Sequence, residues 1–589
     1  MSASSSPIRW TPASAEEIVS SNRIPKFGIS PVFDNSLRIS LARRQGSLFL
    51  EMMAPPNILL ILNDDMGFSD LGCYGGEIET PHLDRLAAGG LRYTQFYNTA
   101  RCCPSRASLL TGLHPHQADV GHMIGNDDVD GYLGDLSRRA VTIAEVLRPA
   151  GYRTYMSGKW HVTGHLDKPN RSWPTERGFD AYFGMLTGAG SYYSPKTLVR
   201  DRTFLPEPEG DFYFTDAISD EAVHQLENHF RENQEQPFFQ YLAYTAPHWP
   251  LHARETDVAK YHGRYDAGWD VLREERLRRQ RALGVLGEEV LLSPRDPSQP
   301  AWEDTPHQEW QARRMEVYAA MIEVMDQGIG RVVQTLEKNG ALENTLILFL
   351  SDNGGCHEEI AGTWGEGLKN GLSARSHTRA GVPVRFGNTP DIVPGPEDTY
   401  CSYGVPWANL SNTPFRKYKS WIYEGGISTP FIVHWPEGIK KGGEFRRQPA
   451  QLPDVMATVL QVSGAPYPER LGDRQIIPHE GFSLVPTFYD VPHEREVLTW
   501  EHEGKCGIRR GKWKLVRDHF LPGPNLREEE AGPQPWELYA MDEDRAELNN
   551  LAAQHPAIVQ SLGQEYENWA SRCGVQPWNS ILARRRRIR

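Results

Sequence analysis

Two neighbouring cysteines open a short segment in which one thiol could be chemically active. Cys102 and Cys103 begin the stretch CCPSRASLLTG, which ends at Gly112. Proline suits the first turn of a helix and glycine its end, so the spacing predicts a short helix that begins at the cysteines. Free N–H groups and the helix dipole at that end favour an anion or a thiolate. Position alone also allows a cysteine that is simply buried.

Oxygen-bearing side chains follow two apolar runs directly. Asp64 and Asp65 follow NILLILN, and Asp352 and Asn353 follow NTLILFLS. Each pair could be a solvent-exposed turn, but adjacent carboxylates repel each other unless a cation lies between them. Hard oxygen ligands suit Ca²⁺ or Mg²⁺ better than zinc. We therefore expect a divalent metal here, with Ca²⁺ as the first choice because it tolerates a flexible shell of many oxygens.

Basic and imidazole side chains follow two further apolar runs. Lys159 and His161 come after YRTYMSG, and His248 comes after FFQYLAYT. A single lysine or histidine is most often a solvated or structural residue. The repeated position of these side chains after predicted strands favours catalysis instead, because histidine can exchange a proton near neutral pH.

The elements that must position these residues alternate between strands and helices. The four apolar runs predict buried strands, and helical patterns lie at 81–90, 141–151, 220–233 and 315–340. This alternation predicts an α/β fold with a large, mostly parallel sheet flanked by helices. Ligands of such sheets bind beyond the carboxyl ends of the strands, so we expect the residues above to form one site there.

Composition divides the chain into three predicted parts. Residues 1–52 are rich in serine and weakly patterned, and they predict a poorly ordered N-terminal extension. Residues 53–490 are the predicted catalytic domain, and 491–589 predict a smaller α+β subdomain with an antiparallel sheet. The Gly- and Pro-rich stretch 356–411 predicts a long functional loop over the site.

Several classes of protein are disfavoured. The net charge of -13 argues against a nucleic-acid-binding protein. The seven cysteines contain no C-x-x-C pair, which argues against a disulfide framework and a structural zinc finger. No run of about 18 apolar residues occurs, so we expect no membrane span. The first 52 residues lack a signal-peptide pattern, from which we expect a cytoplasmic location; the sequence leaves the oligomeric state open.

The pattern C-x-P-S-R-x-x-L-L-T-G resembles the signature of the formylglycine-dependent sulfatases, a family of the alkaline phosphatase superfamily. The blocks LNDDMG, SGKWH, APHWP, SDNGG, YKSWIYEGGISTP and GKWKLV occur in that family's order over roughly residues 56–580, and the pattern is most similar to the arylsulfatase-like branch. The resemblance implies an alkaline-phosphatase-like fold. It also implies hydrolysis of a sulfate monoester to an alcohol and inorganic sulfate, through a formylglycine hydrate and a divalent metal.

The resemblance further implies which residues act. Cys102, rather than Cys103, would be converted to 3-oxoalanine (formylglycine) by a maturation enzyme. The implied metal ligands are Asp64, Asp65, Asp352, Asn353 and the modified Cys102. The implied catalytic residues are Cys102, Arg106, Lys159, His161, His248 and Lys419. In these roles His248, with Lys419 nearby, protonates the leaving alcohol, and His161 takes a proton from the hydrate.

The substrate would be a sulfated small molecule or a sulfated carbohydrate. The main alternative is a phosphonate-monoester or phosphodiester hydrolase that uses the same modified nucleophile, because sulfur and phosphorus centres share in-line geometry. A binding protein that has lost catalysis is disfavoured, since every implied metal and histidine position is present.

Overall fold

An eleven-stranded sheet forms the centre of the computed structural model, which describes residues 54–492, 495–520 and 532–588. Four smaller sheets accompany it. In chain order the strands are β1 (Asn57–Asn63), β2 (Leu91–Tyr97), β3 (Arg153–Lys159), β4 (Ala181–Met185), β5 (Leu198–Arg200), β6 (Thr203–Phe204), β7 (Phe238–Ala243), β8 (Thr345–Ser351), β9 (Arg385–Phe386), β10 (Thr399–Tyr400), β11 (Ser428–His434), β12 (Glu444–Arg446), β13 (Ala450–Gln451), β14 (Arg470–Leu471), β15 (Arg474–Gln475), β16 (Val497–His502), β17 (Lys505–Arg510), β18 (Trp513–Arg517), β19 (His519–Phe520), β20 (Gly532–Pro533) and β21 (Glu537–Ala540).

The four predicted strands lie side by side and parallel at the middle of this sheet, in the order β8-β1-β7-β3. Their continuous apolar sequences suit strands that are covered on both faces. Leu62 near the end of β1 pairs with Leu350 of β8 and with Ala243 of β7. Because the three strands end level, the residues that follow them share one edge of the sheet.

Helices flank the sheet, and the two longest of the described helices pack against each other. In chain order the helices are α1 (Pro81–Gly89), α2 (Cys102–Thr111), α3 (Ile143–Leu147), α4 (Phe214–Asn233), α5 (Glu255–Val258), α6 (Gly268–Ala282), α7 (Gln308–Lys338), α8 (Trp364–Asn370), α9 (Gly404–Ser411), α10 (Glu424–Ile427), α11 (Pro453–Ser463), α12 (Val485–Phe488), α13 (Pro556–Cys573) and α14 (Trp578–Ile588). All four predicted helical patterns are present, with α4 and α7 packed together. The fold is the predicted α/β fold with a large, mostly parallel sheet.

The C-terminal part contains the predicted antiparallel sheet, in the order β16-β17-β18-β21. The helix α13 packs against β17 and β18. The segment 356–411 is less irregular than predicted, because it contains α8, β9, β10 and α9. The predicted disorder of residues 1–52 lies outside the described residues, and the proposed division at residue 490 stays a prediction.

Within the described ranges, every helix is too short or too polar to cross a lipid bilayer.

Candidate active site

The predicted site residues lie together beyond the carboxyl ends of β1, β3, β7 and β8. Direct contacts join them: the Asp65 carboxylate, for example, contacts Asn353 at 2.6 Å, Lys419 at 2.8 Å and His248 at 3.4 Å. All ten are at least 95 % buried: Asp64, Asp65, Cys102, Arg106, Lys159, His161, His248, Asp352, Asn353 and Lys419. The structure therefore brings every predicted site residue into one cluster.

Cys102 is the first residue of α2, as the spacing of proline and glycine predicts. The helix ends at Gly112, whose φ of 70° lies in the left-handed region that favours glycine. A hydrogen bond from Cys103 lowers the pKa of Cys102 well below its usual value, helped by the charge of Lys159 against the effect of burial. This helix end thus stabilises a negative charge at Cys102, which is the property that a nucleophile or metal ligand needs.

The acidic side chains present unpaired oxygens. Asp64 Oδ1 and Asn353 Oδ1 are buried and have no hydrogen-bond partner among the described residues. Asp65 has a φ of 70°, so the chain turns sharply after β1 and both consecutive carboxylates reach the site. Burial and the charge of Asp64 raise the pKa of Asp352 well above its usual value. A divalent cation would satisfy these oxygens and offset the repulsion, so the donor set fits a hard metal ion.

Three buried cationic side chains, Arg106, Lys159 and Lys419, lie among these carboxylates. Arg106 Nε and Nη2 lie 3.0 and 2.9 Å from Asp352 Oδ2, and Lys159 Nζ contacts Asp64 Oδ2 directly. Burial alone would raise the pKa of Asp64, but the nearby charges, above all those of Lys159 and Arg106, lower it to about 2. The cluster therefore holds fixed positive charge, which a doubly or singly charged oxyanion substrate requires.

The two histidines lie on different sides of the cluster. Burial lowers the pKa of His161 to about 4, and its Nε2 lies 3.2 Å from Cys103 Sγ. His248 Nδ1 donates to the Trp249 carbonyl at 2.6 Å, which leaves Nε2 facing Lys419 Nζ at 3.3 Å. With Nδ1 protonated in this way, the neutral ring presents a lone pair on Nε2 to the lysine.

Sequence reasoning missed several residues that contact this cluster. Cys103 touches His161, although its place in the motif is variable. Glu358 and Arg101 form an ion pair of 2.9 Å at the rim, and Trp249 packs on His248 with ring centroids 4.5 Å apart. The only sequence signal for Glu358 is a charged residue shortly after the Asp352 block, because its partners are far away along the chain.

Comparison with known proteins identifies a family for this geometry. Residues 56–465 match the Sulfatase family, and residues 415–571 match the family N-sulphoglucosamine sulphohydrolase, C-terminal. An uncharacterized sulfatase of Schizosaccharomyces pombe is 34% identical over 88% of this chain and 94% of its own length. An arylsulfatase of Klebsiella aerogenes is 34% identical over 73% of this chain and 91% of its own.

Solved structures show the same fold. The structure of Ps i-CgsB in complex with k-i-k-neocarrahexaose aligns with a TM-score of 0.60 at 24% identity, over 89% of this chain and 94% of that chain. The matched families and relatives show that this chain is a sulfuric ester hydrolase. The general mechanism of its family uses a formylglycine and a metal. The chain thus belongs to the sulfatase family of the alkaline phosphatase superfamily.

Proposed function

We propose that this sulfatase hydrolyses its sulfate monoester with Cys102 converted to formylglycine. The observation that carries the proposal is the placement of Cys102. Cys102 is the first residue of a buried helix. Its sulfur, the Cys103 sulfur and a ring nitrogen of His161 all lie within 4.8 Å of one another. When present, formylglycine supplies a geminal diol as the nucleophile for sulfur.

The metal that we propose is Ca²⁺, with Mg²⁺ as the second choice, held by Asp64, Asp65, Asp352 and Asn353. Support comes from the buried, unpartnered Asp64 Oδ1 and Asn353 Oδ1 and from a donor set made only of oxygens. An oxygen of the modified Cys102 would complete the set. When bound, the cation supplies positive charge that offsets the charge of the sulfate and of the nucleophile.

On the nucleophile side, Arg106 and Lys159 hold the reacting groups in place. Both are fully buried and anchored by carboxylates, so their charges are available without reorganisation. The imidazole of His161 is neutral near pH 7, because burial lowers its pKa to about 4. It can therefore accept the proton that the nucleophile's second hydroxyl loses when sulfate is released.

On the leaving-group side, Lys419 is the proton source that we propose for the leaving oxygen. Its ammonium lies 2.8 Å from Asp65 and 3.3 Å from His248 Nε2. Because His248 Nδ1 carries the hydrogen bonded to the Trp249 carbonyl, Nε2 accepts a hydrogen bond from the ammonium and orients it, while Lys419 gives its proton directly to the leaving oxygen. His248 and Lys419 thus act as one acid.

The substrate class that we propose is a sulfated carbohydrate or a sulfated phenol. The saccharide bound by Ps i-CgsB supports the first, and the arylsulfatase relative supports the second. A panel of aryl sulfates, sulfated monosaccharides, phosphodiesters and phosphonate monoesters ranks these classes by kcat/KM, and it also covers the alternative hydrolase reactions.

The decisive experiment combines peptide mass with turnover. In the wild-type protein we expect the peptide that begins at Cys102 to have the mass of an aldehyde in place of the thiol. The substitution Cys102→Ala should lower kcat for an aryl sulfate on the order of a thousandfold or more, because it removes the nucleophile. Unchanged melting temperature would show that the fold is intact.

Cys103→Ala is the matched control, since it removes the neighbouring thiol from the same helix turn. We expect it to retain formylglycine and most of the turnover. An active wild type whose Cys102 remains a thiol, or a Cys102→Ala variant with wild-type turnover, contradicts the proposal.

A further inference from the structure

Glu358 joins three separate segments of the active site through one carboxylate. Its Oε1 accepts a hydrogen bond from Arg101 Nη1 at 2.9 Å, and its Oε2 accepts one from Trp249 Nε1 at 2.8 Å. The same Oε2 lies 3.9 Å from Lys419 Nζ and 3.4 Å from the Cys356 thiol. Only 15% of the Glu358 side chain is exposed, so these contacts are largely shielded from water.

The two hydrogen-bond donors to Glu358, Arg101 and Trp249, are each next to a residue that the reaction uses. Arg101 is the residue before Cys102 and directly precedes α2. Trp249 follows His248, packs on its ring and accepts its Nδ1–H through the backbone carbonyl. Trp249 therefore sets the orientation of the imidazole through its indole and the tautomer through its backbone carbonyl, and Glu358 holds the indole by its N–H group.

Charge balance in this region also depends on Glu358. Burial alone would raise the pKa of Glu358, but the charges of Arg101 and Lys419 lower it well below its usual value. Glu358 is thus ionised, and it is a second carboxylate beside the Lys419 ammonium, after Asp65. An ammonium that is buried needs such compensation to stay in place.

We propose that Glu358 is a positioning residue that holds Trp249 and Lys419 on the leaving-group side of the active site. The role rests on the proposed function, because it presupposes that Lys419 and His248 protonate the leaving oxygen. Misalignment of the acid slows hydrolysis most for substrates with poor leaving groups, because their leaving oxygen must be protonated in the transition state. Substrates whose phenol leaves easily depend less on the acid.

The test is a leaving-group series of substituted phenyl sulfates for the wild type and Glu358→Gln. The amide is nearly isosteric, but it has only one oxygen, so it cannot accept from both Arg101 and Trp249, and it carries no charge beside Lys419. We expect kcat/KM to fall by about 10–100-fold for para-methoxyphenyl sulfate, as for other residues that orient a catalytic group. For para-nitrophenyl sulfate we expect a fall of about threefold or less. A plot of log kcat/KM against the phenol pKa should therefore become steeper.

The contact between Glu358 and the indole has its own test. Trp249→Phe keeps an aromatic ring beside His248 but removes the N–H group. It should steepen the same plot, and its effect should largely disappear in the Glu358→Gln background, because contacting residues are not additive. If Glu358→Gln lowers the yield of folded protein, the Trp249→Phe variant alone tests the proposal.

Glu366→Gln is the matched control, because its side chain is 80% exposed on α8. It should leave the plot unchanged, and all rates are divided by the formylglycine content of each preparation. An active wild type whose slope is unchanged by Glu358→Gln and by Trp249→Phe overturns the role of Glu358 alone. A wild type that hydrolyses none of the phenyl sulfates and none of the sulfated monosaccharides overturns the proposed function and this role with it.

Discussion

Gly188 leaves the space that the imidazole of His161 occupies. A Cβ atom built at Gly188 would lie 2.1 Å from His161 Cε1 and 2.3 Å from Nε2, well inside van der Waals contact. The residue follows β4 and has no positive φ that would itself require glycine. Steric room for the His161 ring is therefore the reason for a glycine here.

We predict that Gly188→Ala displaces the His161 ring and lowers kcat/KM for an aryl sulfate by about a hundredfold, since a shift of about 1 Å at a catalytic group can cost that much. Gly190→Ala is the control, because the one close neighbour of its Cβ would be the flexible Met185 side chain, with Sδ at 2.7 Å, and Pro195 would be at an ordinary contact distance of 3.8 Å. Steady-state kinetics of both variants, at equal formylglycine content, measure the effect. Equal activity of the two variants would contradict the role given to Gly188.

At the scale of elements, α1 depends on a side chain from another helix. Thr80 precedes α1 but makes no side-chain cap. Asp326 of α7 instead accepts the N–H of Leu83 at 2.8 Å and of His82 at 3.1 Å. The carboxylate thus satisfies two of the free N–H groups at the start of α1 and ties it to α7.

The ionisation of Asp326 links this junction to pH. Burial raises the pKa of Asp326 from 3.8 to about 7 in the folded protein. The folded state therefore binds more protons than the unfolded state between these values, and the stability contributed by protonated Asp326 is lost as the pH rises through about 7. The slope is at most about 1.4 kcal/mol per pH unit.

We predict that Asp326→Asn removes this dependence, because asparagine does not titrate. The advantage of the wild type over the variant in the free energy of unfolding should shrink between pH 5 and pH 8, measured by urea denaturation. Asp473→Asn changes an exposed aspartate and should give the same difference at both pH values. A difference between wild type and Asp326→Asn that does not change with pH would show that Asp326 does not titrate in this range.

Some elements were predictable from sequence and others were not. β1 was predicted with its observed bounds because its apolar run is continuous and ends in two aspartates. The sequence did not predict β21, because its four residues, ELYA, are only partly apolar. They form a strand through their pairing with β18. Glu358 was missed for a related reason: its partners Arg101 and Trp249 are 257 and 109 residues away, and no local pattern records such contacts.

At the scale of the whole molecule, a buried charge network joins the C-terminal sheet to the main sheet. Lys514 of β18 lies 3.0 Å from Glu424 and 2.7 Å from Glu547. Glu424 also accepts from the Tyr97 hydroxyl at 3.0 Å, at the end of β2, and from Arg545 at 3.1 Å. Because Glu424 begins α10, five residues after Lys419, the network connects the C-terminal sheet to the segment that carries Lys419.

An apolar cluster reinforces the same junction. Leu498, Trp500 and Val516 of the C-terminal sheet pack with Tyr97 of the main sheet and with Ile422. The Trp500 indole also donates to the Asn98 carbonyl at 3.1 Å, in the segment that leads to Cys102. Breaking the C-terminal sheet away would expose this cluster and the charges beside it, so we expect the two sheets to unfold together.

We predict that Lys514→Met lowers the free energy of unfolding by about 3–5 kcal/mol, because it leaves Glu424 and Glu547 buried without their shared cation. Activity, tryptophan fluorescence and far-ultraviolet circular dichroism should all report the same lower urea midpoint, since the sheets lose their junction in one step. Lys512→Met is the control: its side chain is 44% exposed and lies 3.5 Å from Glu543, so its loss should change the midpoint little. A fluorescence transition that precedes the loss of activity would mean that the C-terminal sheet opens by itself and that the network does not bind the two sheets into one unit.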